Sequence, residues 1–202
     1  VYIAEKGKRG GGLTYPDEVL VDRVISGDIS SFELLVTRYQ KKIYSFIYRM
    51  VVSEEDARDL TQEVFIQVYR ALERFRGEAR FNTWLYRIAS NKTLDFLRRN
   101  KRNRVSPWIE EEAAATNIRN SAVPDDPEQV FIRDEKISRL RRMIANLPDR
   151  YRVVLILFHF ENLSYQQISD TLDIPLRTVA TRLYRGKLLL KKRLRGEIDG
   201  LS

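Results

Sequence analysis

The stretch SYQQISDTLDIPLRTVATRLYRGKLLLKKRL, residues 164–194, sets the reading of the whole chain. Ser164 can cap a short helix, because its hydroxyl accepts an N–H that the first turn leaves free. Asp173, Ile174 and Pro175 then make a tight turn, and a longer helix runs from Leu176 to Leu194. At 100° per residue, Leu176, Val179, Leu183, Leu190 and Leu194 share one packing arc. Thr178, Thr181, Tyr184, Arg185 and Lys192 point away from it, with Arg182 at the margin. Two helices, a short turn and a basic outward face describe a helix-turn-helix. Such a second helix fits the major groove of duplex DNA, where Arg donates bidentately to guanine and Thr meets a thymine methyl or a phosphate.

Upstream of this motif, Ile137, Leu140, Ile144 and Leu147 recur at helical steps, Pro148 interrupts, and YRVVLILFHFENL resumes at Tyr151. Residues 133–196 therefore read as one helical domain. His159 lies inside the apolar run, and with one His and no Cys in 202 residues it has no companion for a metal site. It reads as structural. The absence of Cys also excludes disulfides, thiolate zinc sites and cysteine nucleophiles.

Charge divides the rest of the chain. Glu73 to Arg104 holds ten basic and three acidic residues, and Leu176 to Ser202 holds eight and two. Between them, Ser106 to Glu135 holds two basic and eight acidic residues, with Pro107, Pro124 and Pro127. Acidic, Pro-punctuated chain buries too little apolar surface to offset its ordering entropy, so residues 105–132 are expected to form a flexible linker. The expected plan is all-α: a helical domain over residues 16–104, the linker, and the helix-turn-helix domain, with tails at 1–15 and 197–202. A chain of 202 residues with 43% apolar content can bury one medium core or two small ones, and its formal charge of +8 favours an anionic partner. No run approaches the roughly twenty apolar residues of a bilayer span, and VYIAEKGKRGGG lacks the apolar centre of a secretory signal. No membrane insertion is expected, and a cytoplasmic address follows as the default. GKRGGG also lacks the spacing of a phosphate-binding loop.

Within residues 16–104 a short helix after Pro16 ends near Gly27, and a long one carries Phe32, Leu35, Val36, Tyr39, Ile43, Phe46, Ile47 and Met50. Ser53, three residues before Asp56, opens a third helix. Its core arc is Ala57, Leu60, Val64, Val68, Ala71, Leu72 and Phe75; opposite lie Asp56, Asp59, Gln62, Glu63 and Ile66. A solvated surface and a docking face for a basic protein both fit that anionic arc. After the break at Gly77, Asn82 is the expected N-cap of a helix to about Asn100. Trp84, Arg87, Ile88, Asn91, Asp95 and Arg98 share one stripe of it, while Leu85, Ala89, Phe96 and Leu97 face the other way. Phe75, Phe81, Trp84 and Tyr86 interleave with Arg74, Arg76, Arg80 and Arg87, a combination suited to single-stranded nucleic acid. Bases stack on rings at about 1–3 kcal/mol each while guanidinium groups meet phosphates. Rings in a helical bundle are also core residues as a rule, so only the cluster favours that use.

Four stretches, EEDARDLTQEVFIQVYRAL, FNTWLYRIASNKTLDFLRR, LPDRYRVVLILFHFENLSYQQIS and IPLRTVATRLYRGK, together resemble the extracytoplasmic-function sigma factors of the sigma-70 family. The resemblance runs from about Asp17 to Arg195 and implies a subunit that binds core RNA polymerase, directs it to promoters and helps open the DNA. It implies that Asp56, Asp59, Gln62 and Glu63 meet the clamp helices of the β′ subunit. It places Phe75, Arg76, Phe81, Trp84, Arg87, Asn91, Arg98 and Arg99 at the melted minus-ten element. It places Thr178, Thr181, Arg182, Tyr184, Arg185 and Lys192 at the duplex minus-thirty-five element, with apolar surface nearby for the β flap. An anti-sigma partner is a further implication, and the acidic linker serves either as a tether or as a segment threaded near the RNA path. Many relatives have Gly and a basic residue where Arg177 and Ala180 stand, so the resemblance does not carry over which promoter sequence is read. No catalytic residue, metal or cofactor is implied. Two rival classes are a stand-alone helix-turn-helix regulator, which binds its operator without polymerase, and a nucleic-acid enzyme, for which no nucleophile–base pair or metal cluster is visible.

Overall fold

Helix boundaries follow local chemistry throughout the computed structural model, which describes residues 5–6, 13–103 and 140–199. The expected linker, residues 105–132, lies outside the described residues. Glu5–Lys6 pairs antiparallel with Leu13–Thr14; every other described element is helical. Helix α1, Asp17–Ile25, opens after Pro16 with Asp17 and Glu18 at its positive end. It ends where Gly27 takes φ +99°, and the Gly27 and Asp28 amides donate back to Val24 and Arg23. Asp28 caps α2, Ile29–Val51, accepting from the Ser31 amide and hydroxyl. Hydroxyl donors from Ser30 and Ser31 hold its carboxyl below the usual range. Ser53 caps α3, Glu54–Ala71, which runs into a 3-10 turn at Leu72–Arg74.

Helix α4 spans Phe81–Asn103. It opens before the expected cap at Asn82, because Phe81 is drawn into the core and the Trp84 amide already bonds the Arg80 carbonyl. Residues 140–145 are helical, followed by α5, Asp149–His159, α6, Tyr165–Leu172, and α7, Leu176–Asp199. Ser164 and Gln167 form a reciprocal capping box at α6, and Asp173 at φ 52° makes the left-handed turn into α7.

The first core joins Leu20 of α1, Ile43, Phe46 and Met50 of α2, Leu60 and Val64 of α3, and Leu85 of α4. Each such side chain contributes about 1.5–3 kcal/mol when fully buried. Asp17 accepts from both Arg38 and Tyr39, which fastens α1 to α2. In the second domain Leu147, Val154, Ile156, Leu157, Ile168, Val179 and Leu183 are buried, and they continue the first set as one hydrophobic cluster. Leu176 and Leu194, placed on the packing arc by the wheel, stand at its two ends and are 47% and 40% exposed. Gly186 is where α7 crosses closest to α5: a Cβ there would stand 2.9 Å from Leu155 Cδ1. The two domains are docked, with α5 and α6 lying against α2 and α4.

Candidate nucleic-acid and partner interfaces

The helix-turn-helix presents a concave surface as well as a basic one. Arg177, Thr178, Thr181, Arg182 and Arg185 of α7 face Arg150 and Tyr151 of α5 across a groove of about 500 Å³, with Pro175 at one end. The turn at Asp173 sets the angle at which α7 leaves α6, and the close crossing at Gly186 holds α7 against α5. Four guanidinium groups thus share one cavity, and none of them is ion-paired with another described residue. The neighbouring Asp149 does not neutralise Arg150, because it is committed to Lys101 and Arg152. Burial works against the charge of Asp149, but those two donors outweigh it and hold the carboxyl below its usual range. Tyr184 is 69% exposed on α7, and Lys192 is exposed further along. The sequence reading missed Arg150 as part of this surface. Its signal was the basic residue following LPD at the start of α5, but its proximity to α7 is a tertiary fact.

On the first domain, Arg87, Asn91 and Arg98 are exposed along α4, with Trp84 and Asp95 half-buried in the same stripe and Arg98 paired to Asp95. Arg76 and Arg99 are exposed beside it. Ile88, read as part of the stripe, is 8% exposed. Phe81 requires a correction: it is 1% exposed and therefore offers no face to a base. Its ring packs edge-on against Tyr39 and Phe75, at 5.6 and 6.1 Å between centroids, and tilted against Trp84 at 5.9 Å. Opening α4, it points inward and supports the half-buried Phe75 and Trp84 rings, which lie 5.1 Å apart. Tyr86, from the same aromatic group, is also buried.

The anionic face of α3 is formed as the wheel places it. Asp59, Gln62 and Glu63 are exposed and Asp56 is half-buried near the cap. Lys92 of α4 reaches Glu63 at 2.8 Å, so part of the negative charge is already met within the chain. Ile66 and Tyr69, 52% and 46% exposed, extend the face with apolar surface. His159 ends α5 with its ring edge-on to Phe158 at 4.9 Å; burial and the Lys187 charge lower its pKa. Among the described residues no three His, Cys, Asp or Glu side chains gather to hold a metal ion, and no helix is long and apolar enough to cross a membrane.

Comparison with known proteins follows the same division. Residues 35–103 match the family described as Sigma-70 region 2, and residues 137–190 the one described as Sigma-70, region 4. The chain is 39% identical over 180 residues to the RNA polymerase sigma-H factor of Pseudomonas aeruginosa, covering 88% of this chain and 93% of that protein. It is 38% identical over 173 residues to the ECF RNA polymerase sigma-E factor of Escherichia coli (strain K12), covering 85% and 90%. Its fold resembles that of the sigma factor RpoE solved in complex with the anti-sigma factor NepR from Bartonella quintana. The TM-score is 0.64 at 17% identity, with 81% of this chain and 96% of that chain covered.

Proposed function

Because the chain belongs to the extracytoplasmic-function sigma factors of the sigma-70 family, transcription initiation factors that bind core RNA polymerase and promoter DNA, we propose a division of labour among its surfaces. The domain over residues 16–104 binds the β′ clamp helices through Asp56, Asp59, Gln62 and Glu63, with Ile66 and Tyr69 as its apolar continuation. The stripe of α4, with Trp84, Arg87, Asn91 and Arg98, takes the melted minus-ten strand; Phe75, Arg76 and Arg99 flank it. The domain over residues 133–196 reads the duplex minus-thirty-five element through Thr178, Thr181, Arg182, Tyr184, Arg185 and Lys192. Arg150 and Arg177 hold the phosphate backbone on either side of the groove.

One observation carries this reading: a chain of net charge +8 keeps an exposed carboxylate face on α3, separate from two cationic surfaces. Negative charge there repels nucleic acid and suits a basic protein partner, which steers association and sets orientation. Opening duplex DNA costs about 1.4 kcal/mol per stacked step, which captured bases and phosphate contacts offset. The chain itself supplies no bond-making step; it acts in the cytoplasm on a polymerase that does. A protein of the anti-sigma kind is a further partner. The test adds purified protein to core polymerase on a promoter library and maps start sites. Start sites that depend on the protein, and that Asp59→Lys abolishes, are expected. No protein-dependent start site refutes the assignment, and sequence-specific binding that needs no polymerase returns the stand-alone regulator.

A further inference from the structure

Helix α1 carries no residue of the promoter or polymerase surfaces, yet directed contacts tie it to the rings at the start of α4. Asp17, in its first turn, accepts from the Tyr39 hydroxyl and from Arg38, and Arg38 also donates to the Tyr15 carbonyl at 2.8 Å. Tyr39 is buried. Burial first, and the Asp17 carboxylate next, push its hydroxyl well above the ordinary tyrosine range, so it stays a donor. The Tyr39 ring meets Phe81 edge-on, and the buried Phe81 meets both Phe75 and Trp84. Helix α1 also packs against the 3-10 turn Leu72–Arg74, whose Leu72 carbonyl accepts from the Phe75 amide at 3.0 Å. Trp84 is thus braced through Phe81, and Phe75 through Phe81 and the turn before it.

Ring pairs gain most when their centroids stand about 4.5–7 Å apart in edge-on or offset arrangements. The four pairs of this row lie at 5.6, 6.1, 5.9 and 5.1 Å, so a turn of one ring is passed to the next. Phe75 and Trp84 expose only part of their surface, and their tilt decides whether an unpaired base meets a face or an edge. Tyr39 anchors the row, because Asp17 fixes its hydroxyl end while Phe81 rests on its ring. Without Asp17 that buried hydroxyl loses its partner, which favours turning the ring toward water and away from Phe81.

We propose, resting on the minus-ten reading of α4, that Asp17 is a positioning residue for promoter opening: acting through Tyr39 and Phe81, it sets the angle at which Phe75 and Trp84 present their rings to unpaired bases. Asp17 itself meets no DNA, and its charge is met by Arg38. Its loss therefore weakens stacking without removing a cation from the surface that phosphates reach.

The test uses the full chain with core polymerase, measuring fluorescence anisotropy on a single-stranded minus-ten oligonucleotide and on a minus-thirty-five duplex. A 2-aminopurine in the minus-ten element of a whole promoter follows opening. Asp17→Ala should lower oligonucleotide affinity and the opening rate about tenfold, within what the stacking of one base contributes. Duplex affinity should not change, and neither should the salt slope on the oligonucleotide, because no phosphate contact is lost. Asp17→Asn keeps an acceptor for Tyr39 and should lose about threefold at most. Tyr39→Phe breaks the same link, so adding Asp17→Ala to it should cost less than about twofold more. In the free chain, Trp108→Phe leaves Trp84 as the one tryptophan, and Asp17→Ala should raise the acrylamide quenching of its emission. Should Asp17→Ala lose its helical circular dichroism, Asp17→Asn and Tyr39→Phe carry the test on the same readouts. Unchanged oligonucleotide affinity, a changed salt slope, equal losses on both DNAs, or a full further loss in the double variant overturns the proposal. A parent holoenzyme that ignores the oligonucleotide instead refutes the minus-ten reading, and the proposal with it.

Discussion

Replacing Arg150 by Ala isolates one wall of the arginine groove. Arg150 is exposed, its guanidinium lies 4.8 Å from the Tyr151 ring centroid, and its carboxylate neighbour is engaged elsewhere, so the substitution removes a cation without opening a core. If Arg150 and Arg177 each meet one phosphate, the pair should contribute about −1.8 to the log–log slope with which binding falls with salt, and Arg150→Ala should reduce that by about 0.9. A single charge-assisted phosphate contact at a wet surface is worth about 1 kcal/mol, or about fivefold in Kd, at about 50 mM salt. Raising salt fourfold, to about 200 mM, should shrink that difference by about 3.5-fold and leave the variant within about 1.4-fold of the parent. The assay is fluorescence anisotropy of holoenzyme on a minus-thirty-five duplex and on a scrambled duplex, across that salt range. Both duplexes should lose affinity equally, since a phosphate contact carries no sequence information. An unchanged salt slope, or a loss confined to the specific duplex, refutes the backbone role and with it the two-walled groove.

Other consequences can be measured separately. Asn91→Ala should change which minus-ten sequences are used, by about 1–3 kcal/mol at one base position, with little effect on general DNA affinity; equal losses on every sequence count against it. Gly186→Ala gains about 1 kcal/mol of helix propensity but overpacks Leu155 by about 1–3, so Tm should drop by a few degrees, and a rise would contradict the close crossing of α5 and α7. Burial pushes the Glu161 carboxyl above its ordinary 4.5, against the Tyr86 hydrogen bond and the charges of Arg49 and Lys42. In the folded chain this group therefore keeps its proton to higher pH than in the unfolded one. Its contribution should be full below 4.5 and decline as pH rises through the raised value. Asp149 runs the other way, stabilising above 3.8 and losing its effect as pH falls through its lowered value. Thermal melts from about pH 3 to about pH 7 should lose the first dependence in Glu161→Gln and the second in Asp149→Asn.

Much of the architecture was legible because its determinants are local. Ser53 and Ser164 cap helices with hydroxyls three residues from the amides they meet, and Gly27 reverses the chain where only φ matters. The turn at Asp173 and the basic face of α7 follow from spacing along one helix pair, so the helix-turn-helix needed no tertiary information. The carboxylate face of α3 is likewise a property of one helix. Whether it is a solvated surface or a docking face was left open by the wheel, and the proposed function takes it as the docking face.

Tertiary structure decided which side chains remain available. Phe81 and Tyr86 carry the same aromatic signal as Trp84, yet Phe81 is consumed by Tyr39 and Tyr86 by Glu161, partners 42 and 75 residues away. Arg150 joins Arg177, Arg182 and Arg185 only because α5 and α7 cross at Gly186. Glu161 meets Tyr86 and Arg49, and Arg152 meets the Met50 carbonyl, only because the second domain lies on the first. Periodicity and capping act within a turn or two of helix, so the chain by itself states its helices and their faces. Burial, charge pairing and the contact between the domains arise from residues far apart in the chain, and only the folded chain brings those together.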